Sequence, residues 1–465
     1  MDFDQMENTD EHPLIKEYRQ FSPKSSRLAE RAQAVFPGGD TRSSAHFGPY
    51  PLSIESGSGC HVVDSDGHQL LDFMNNFTSL IHGHAYPAVV EAVQKQAALG
   101  SAYAATSLSQ IQLAELISSR VPSIEQLRFT SSGTEGTLMS IRCARAATGK
   151  QKIMKMEGGY HGSYEQAEVS LVPFPGRSGP LESPVSQPID NSFPNSVLED
   201  TIVCPFNQPA LAESLIEQHA EHLAAIIVEP VLGSMGMLPA TPKFLETLRK
   251  ACNKHGIVLI FDEVITLRLG FGGAQSVLEV EPDLTCMGKI IGGGLPVGGV
   301  GGKKELMQLF SPNQKQPVMH ASTFSGNALT MSAGLASMNA LTEKEVNRIN
   351  RLGEQLRQGF NQAFQQAGIQ GQATGAGSLV NLHLTNRKLG DSRQSIHGTI
   401  DAGHITQLLH LTMLRHGVMS ASRLMYCIST AMGQAEIDHA ITALNETLTV
   451  LRPFIEQERP QLLVA

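Results

Sequence analysis

Two apolar runs in the middle of the chain end in opposite charges. Ile257-Val258-Leu259-Ile260-Phe261 stops at Asp262, and Leu284-Thr285-Cys286-Met287 leads to Lys289, just ahead of Gly292-Gly293-Gly294. Runs of this composition read as strands buried on both faces, which puts the acid and the amine at strand carboxyl ends. Ligands of open α/β sheets bind outside that edge. The two charges could therefore serve one bound molecule, or be a surface acid and a surface lysine that never meet.

Further strand ends carry useful groups. Leu127-Arg128-Phe129-Thr130 runs into Ser131-Ser132-Gly133-Thr134-Glu135-Gly136 ahead of a helical stretch, Leu138 to Ala147. Small hydroxyl-bearing residues there offer a phosphate their backbone N–H groups, their hydroxyls and the positive end of a helix dipole. A plain helix N-cap would look similar. Lys152 to Met156 delivers Tyr160 and His161 through Gly158-Gly159, unless Tyr160 is simply a core residue, and Ala224 to Val228 ends in Glu229. Ser132, Tyr160, Glu229, Asp262 and Lys289 thus all follow strand candidates closely, and their coincidence points to one site.

The elements needed to position them alternate from Pro87 onward: helix, strand, helix, as a parallel sheet with crossover helices requires. Thr241-Pro242 opens a helix that Gly256 closes, feeding the strand before Asp262. Upstream, residues to about Ser22 read as a flexible arm, and a helical pattern then stops at Phe36-Pro37-Gly38-Gly39. Leu52 to Ser56, His61 to Asp64 and Leu70 to Phe73 suggest a small antiparallel sheet. Val172 to Ser196, rich in proline, is expected to lack secondary structure and to be a lid or a linker. After the small-residue helix Ala328 to Met338, the remaining strands and helices suit a smaller α+β domain, with the boundary near Leu341.

The 465 residues are too many for one simple core. A net charge of −9 argues against nucleic acid and for a small-molecule partner. The six cysteines form no C-x-x-C pair, so neither a metal site nor a disulfide framework is signalled, and reduced thiols in a cytoplasmic protein are expected. The acidic amino terminus fits no secretory or transit peptide, and no apolar run is long enough for a membrane helix.

With cradle, tyrosine, acid and lysine in this order, the chain resembles the pyridoxal-phosphate-dependent class III aminotransferases, and within them the glutamate-1-semialdehyde 2,1-aminomutase branch. The likeness runs from about Phe36 to about Leu341 through VPSIEQLRFTSSGTE, GGYHG, VEPVLG, FDEV, PDLTCMGKIIGGGLPVGGVGG and TFSGN. It implies the aspartate aminotransferase-like fold type I, an α/β fold: a mostly parallel seven-stranded sheet between helices in a large domain, plus a smaller α+β domain. The divisions are 1–86 for an arm and a segment joining the small domain, 87–341 for the cofactor-binding domain and 342–465 for the small domain.

The resemblance makes Lys289 the residue bonded to pyridoxal 5′-phosphate as a Schiff base, and Asp262 the partner of the pyridine nitrogen. Val264 and Tyr160 would cover the two ring faces, with His161 and Glu229 close by. Ser132, Gly133 and Thr134 would hold the phosphate. Thr323 would reach the phosphate of a neighbouring subunit, which implies a homodimer.

On the substrate side, Arg42 matches the arginine that grips a carboxylate in the aminomutase branch; by its residues alone it is either an anion clamp or a solvated arginine. The aminomutase gating segment carries a glutamate where Ala421-Ser422-Arg423-Leu424-Met425-Tyr426 has Met425. The same stretch offers Arg423 near the second arginine of aminotransferases acting on β-amino acids, although a structural arginine would look the same. Ile265 replaces the glutamine of many other class III transaminases. The expectation is an aminotransferase for a carboxylate-bearing amine, β-amino acids included, and a keto acid such as 2-oxoglutarate. An aminomutase, an epimerase or decarboxylase on the same scaffold, and a non-catalytic cofactor-binding regulator remain as alternatives.

Overall fold

In a computed structural model, which describes residues 11–464, the amino-terminal segment is not an arm throughout. The first ten residues of the expected arm lie outside the described range, but Pro13–Phe21 is a helix. Leu14, Ile15 and Tyr18 recur at helical spacing and are buried, and the Tyr18 hydroxyl donates to the Tyr50 carbonyl at 2.9 Å. Buried apolar area, invisible to a reading that saw only charge and proline, holds this helix down. Beyond it, β1 (Ile54–Ser58), β2 (His61–Asp64) and β3 (Gln69–Asp72) form the expected antiparallel sheet, starting two residues later than Leu52. A strand from the far end of the chain, Val418–Met419, joins β3 in parallel. The amino-terminal segment is thereby sewn to the carboxyl-terminal part.

The large sheet has seven strands. Five come from the alternating region: β4 (Gln126–Thr130), β5 (Lys152–Met156), β6 (Thr201–Cys204), β7 (Leu223–Val228) and, after a short hairpin of β8 (Val231–Leu232) with β9 (Leu238–Pro239), β10 (Val258–Asp262). They are followed by β11 (Leu284–Gly288) and β12 (Gly298–Gly302), in the order β4-β12-β11-β10-β7-β5-β6. Only β12 runs antiparallel to its neighbours. Its sequence is GGVGG, which has little strand propensity, and it escaped the sequence reading for that reason. Packing explains the glycines: a Cβ on Gly298 would lie 1.9 Å from the Ser132 carbonyl oxygen, and one on Gly302 2.3 Å from that of Asp283. At these positions β12 can pass between β4 and β11 only as glycine.

Every residue of β7, β10 and β11 is buried, as expected of strands covered by helices on both faces. The helix feeding β10 is capped as its sequence requires. Thr241 accepts from the Phe244 N–H, and Gly256 closes the helix at φ +62°. At its far end the sheet is followed by the helix Ala328–Ala340, then Glu343–Ala367, capped by Thr342. The remaining chain contains β13 (Gln372–Ala376), β14 (Leu379–His383), β15 (Val418–Met419) and β16 (Met425–Cys427), with helices at Ser392–Ala402, Ile405–Arg415 and Gln434–Glu458.

The helix Asn195–Asp200 takes in the last two residues of the stretch expected to lack structure, but residues 172–194 contain no helix or strand. They are nonetheless tied down. Ser170 N–H donates to the Gln187 carbonyl, and Arg393 donates to the Ser178 and Gly179 carbonyls while forming a bidentate pair with buried Glu157 at 2.8 and 2.9 Å. The six cysteines are free and buried. No helix among the described residues is long and apolar enough to cross a membrane.

Candidate active site

The carboxyl edge of the sheet gathers the strand-end residues around one cavity of about 530 Å³. Arg42, Ser132, Gly133, Thr134, Tyr160, His161, Glu229, Asp262, Val264 and Lys289 all line it. Asp262, last residue of β10, accepts from the Val264 N–H at 3.1 Å and pairs with His161 Nδ1 at 2.9 Å. An ionised carboxylate can only accept, so Nδ1 carries the imidazole proton. Burial holds His161 below its ordinary value despite that bond, leaving a neutral ring whose Nε2 is buried without a partner.

Lys289 follows β11 directly and takes a left-handed backbone conformation, φ +49°. Burial drives its amine down to about 8, against the pull of the Asp262 and Glu229 carboxylates. Glu229 accepts from the Tyr160 N–H at 3.0 Å and the Gly233 N–H at 3.1 Å. Burial, and after it the Asp262 charge, nevertheless raise its carboxyl above the usual range. The Tyr160 loop is fixed from below as well, because the fully buried Lys155 donates to the Gly159 carbonyl at 2.8 Å and to that of Val169.

The same cavity receives the amino end of the helix Gly133–Thr148. Ser132 is its N-cap, and Gly133 and Thr134 open its first turn, where backbone N–H groups have no partner within the helix. The helix begins five residues earlier than its apolar pattern suggested, because the cap and not the first leucine sets the start. Space here is shaped by missing side chains: a Cβ on Gly133 would meet Val264 at 3.0 Å, and one on Gly162 would meet Thr134 at 2.7 Å. A flat ring bearing a phosphate arm, a basic nitrogen and a carbonyl would find a complementary group for each part. The residues present fit pyridoxal phosphate.

Some expected residues stand apart. Thr323 is exposed and does not line the cavity; its neighbours Ser322 and Ser325 lie 3.1 and 3.4 Å from the Ser131 hydroxyl. Arg423 lines a separate space of about 170 Å³ with Ser234, Asn381 and His383. Its charge still acts on Lys289, lowering the amine further. The two arginines meet at a residue the sequence reading passed over. The Phe77 ring lies 5.8 Å from the Arg42 guanidinium and 5.6 Å from that of Arg423. Neither arginine has a carboxylate at ion-pair distance among the described residues; Arg42 Nη1 donates to Asn76 Oδ1 at 3.0 Å, and Arg423 Nε is buried without a partner.

Asn76 and Phe77 line the cavity from an unusual turn. Asn75, Asn76, Phe77 and Thr78 have φ of +47°, +47°, +53° and +74°. Left-handed backbone costs roughly 1–2 kcal/mol per ordinary residue, so a run of four persists only when its surroundings hold it. Nothing in the composition of Asn-Asn-Phe-Thr announces it beyond the asparagines.

Comparison with known proteins decides the family. The model of the class III aminotransferases matches residues 43–446. The chain belongs to the class III aminotransferase family. Its members depend on pyridoxal phosphate, and so does this enzyme. It is 36% identical over 435 residues to a glutamate-1-semialdehyde 2,1-aminomutase of Methanopyrus kandleri, covering 93% of this chain and 98% of the relative. It is 35% identical over 435 residues to a beta-phenylalanine transaminase of Variovorax paradoxus, covering 93% and 94%. Among solved structures, an omega-transaminase from Sphaerobacter thermophilus superposes with a TM-score of 0.88 at 44% identity, covering 96% of this chain and all of that one. The large mostly parallel sheet is that of fold type I.

Proposed function

We propose that this class III enzyme is an aminotransferase, moving an amino group between a carboxylate-bearing amine, with β-amino acids as first candidates, and a keto acid such as 2-oxoglutarate. The observation that carries the reading is the pair of arginines, Arg42 and Arg423, held at one aromatic ring with no carboxylate of their own. Guanidinium is the group suited to bidentate carboxylate recognition. Two of them suit an enzyme that must accept an amino acid and then a dicarboxylic keto acid; an aminomutase has one substrate. Met425, fully buried in β16, supplies no gating carboxylate. The likeness to a beta-phenylalanine transaminase and an omega-transaminase supports the same reading.

Pyridoxal phosphate, when bound, supplies an electron sink for charge developing next to the amine-bearing carbon. The chain's residues divide the remaining work. Lys289, with its depressed basicity, would hold the cofactor's carbonyl carbon and, once the substrate amine takes its place there, would be the base that carries the proton between carbons. Asp262, kept aimed by His161 and the Val264 N–H, keeps the ring nitrogen protonated. Tyr160 and Val264 confine the ring, and Ser132, Gly133 and Thr134 bind the phosphate at the helix end. Glu229 fixes the Tyr160 loop and the Gly233 N–H. Exposed Thr323, between Met319 at 64% and Phe324 at 65% exposure, suits delivery to the phosphate of a second copy and so a homodimer.

The deciding experiment incubates the enzyme with β-phenylalanine and 2-oxoglutarate, and separately with glutamate 1-semialdehyde alone. Amino transfer in the first mixture is expected. Product only in the second makes the protein an aminomutase.

A further inference from the structure

Phe77 has no assigned task, yet both proposed substrate arginines rest against its ring. We propose that Phe77 is the positioning residue that holds Arg42 and Arg423 apart and aimed at their carboxylates; the inference rests on the two-arginine reading above. Two guanidiniums at one ring repel each other and need a partner. A carboxylate would hold them but would also occupy the site they serve. An aromatic face attracts a cation through its quadrupole without cancelling its charge, so both arginines remain free to bind an anion.

The backbone around Phe77 supports this role. At the start of the left-handed turn, the Met74 and Asn75 N–H groups donate to Asp72 Oδ1 at 2.7 and 3.0 Å. Asn75 Nδ2 donates to the Cys427 carbonyl at 3.0 Å, tying the turn to β16, the strand that follows Arg423. At its end, the fully buried Arg268 donates to the Thr78 carbonyl at 3.4 Å. Asn76, the neighbour of Phe77, takes the Arg42 hydrogen bond. A strained turn is thus clamped on both sides, and the ring it presents is the common reference for two arginines distant in sequence.

What lies behind the ring matters too. Phe77 and Arg42 also line a second space of about 190 Å³, where Asp40 stands. Without an aromatic ring in the wall, Arg42 can retract into that space towards a carboxylate and loosen its hold on substrate.

The test compares Phe77→Leu, which keeps an apolar side chain but loses the ring face, with Phe77→Tyr, which keeps the face. With purified holoenzyme, Phe77→Leu is expected to raise KM for the amino acid and for 2-oxoglutarate by about 5- to 30-fold. The dissociation constant of glutarate, an unreactive diacid, should weaken in step. The cofactor's absorption band should not move, because Lys289 and Asp262 are untouched, and Phe77→Tyr should stay within about twofold of the parent. If Phe77→Leu is insoluble, Phe77→Met is read in the same way. Unchanged KM and glutarate binding in the leucine variant, or a displaced cofactor absorption band, overturns the proposal. Arg42→Ala and Arg423→Ala separate the two levels: if neither weakens glutarate, the two-arginine reading fails, whereas if both do and Phe77→Leu does not, only the role of Phe77 falls.

Discussion

At Lys289 the low-dielectric setting outweighs two nearby carboxylates, bringing the amine from 10.5 to about 8. A base whose folded value is depressed binds fewer protons than in the unfolded chain. Its cost to stability is therefore full below about 8 and disappears above the ordinary value. Only the neutral amine attacks a carbonyl, so uptake of pyridoxal phosphate by the cofactor-free protein should accelerate with rising pH, with a midpoint near 8. Stopped-flow absorption would measure it, and a flat profile from pH 6.5 to 9 would contradict the burial argument. Lys289→Ala should lose about 10²–10⁴-fold or more in turnover, the range for removing a positioned acid–base group. His161 is a subtler test. It touches Asp262 and not the substrate arginines, so His161→Ala should lower kcat and shift the cofactor band while leaving glutarate affinity alone.

Elements position these residues by backbone packing as much as by side chains. The glycine strand β12 lies against the Ser132 carbonyl, and Gly136 of the cradle helix would bring a Cβ to 2.7 Å from the Gly299 carbonyl oxygen. Gly136→Ala should therefore destabilise the fold by about 1–3 kcal/mol through overpacking and weaken cofactor binding, because the helix start that faces the phosphate must shift. Thermal melts with and without pyridoxal phosphate would separate the two effects. On the opposite side of the site, Arg393 joins the helix Ser392–Ala402 to Glu157 and to residues 178–179. Arg393→Ala leaves a buried carboxylate unpaired, which should cost about 3–5 kcal/mol and expose residues 172–194 to proteolysis. If the segment is a lid, cofactor or substrate should restore its protection.

For the molecule as a whole, the predicted assembly is a homodimer in which Thr323 serves the other site. Leu99, Leu108, Met319 and Phe324 are each more than 60% exposed in one chain, an apolar display that a second copy would cover. Phe324→Glu should drive sedimentation towards monomer and cut activity together. The strand ends were legible in the sequence because a buried strand is a run of apolar residues and its end is a change of residue type. Asp262, Lys289, Glu229, Tyr160 and Ser132 were found that way, and they share one sheet edge because the strands they follow all run in the same direction. The helix Pro13–Phe21 was missed because its three buried residues matter only against the partners that cover them, and β12 because glycine has no side chain to form a pattern. Phe77 was missed for a third reason. Its value comes from two arginines remote in sequence and from a left-handed turn stabilised by Cys427 and Arg268, contacts that exist only after the two ends of the chain have folded together. Local composition determined which residues stand at the sheet edge, and the resemblance of their motifs to a known family named the cofactor they suit. Which arginines face each other, and across what ring, was decided by tertiary packing, because charges far apart along the chain have no relation until the fold brings them within a few ångströms.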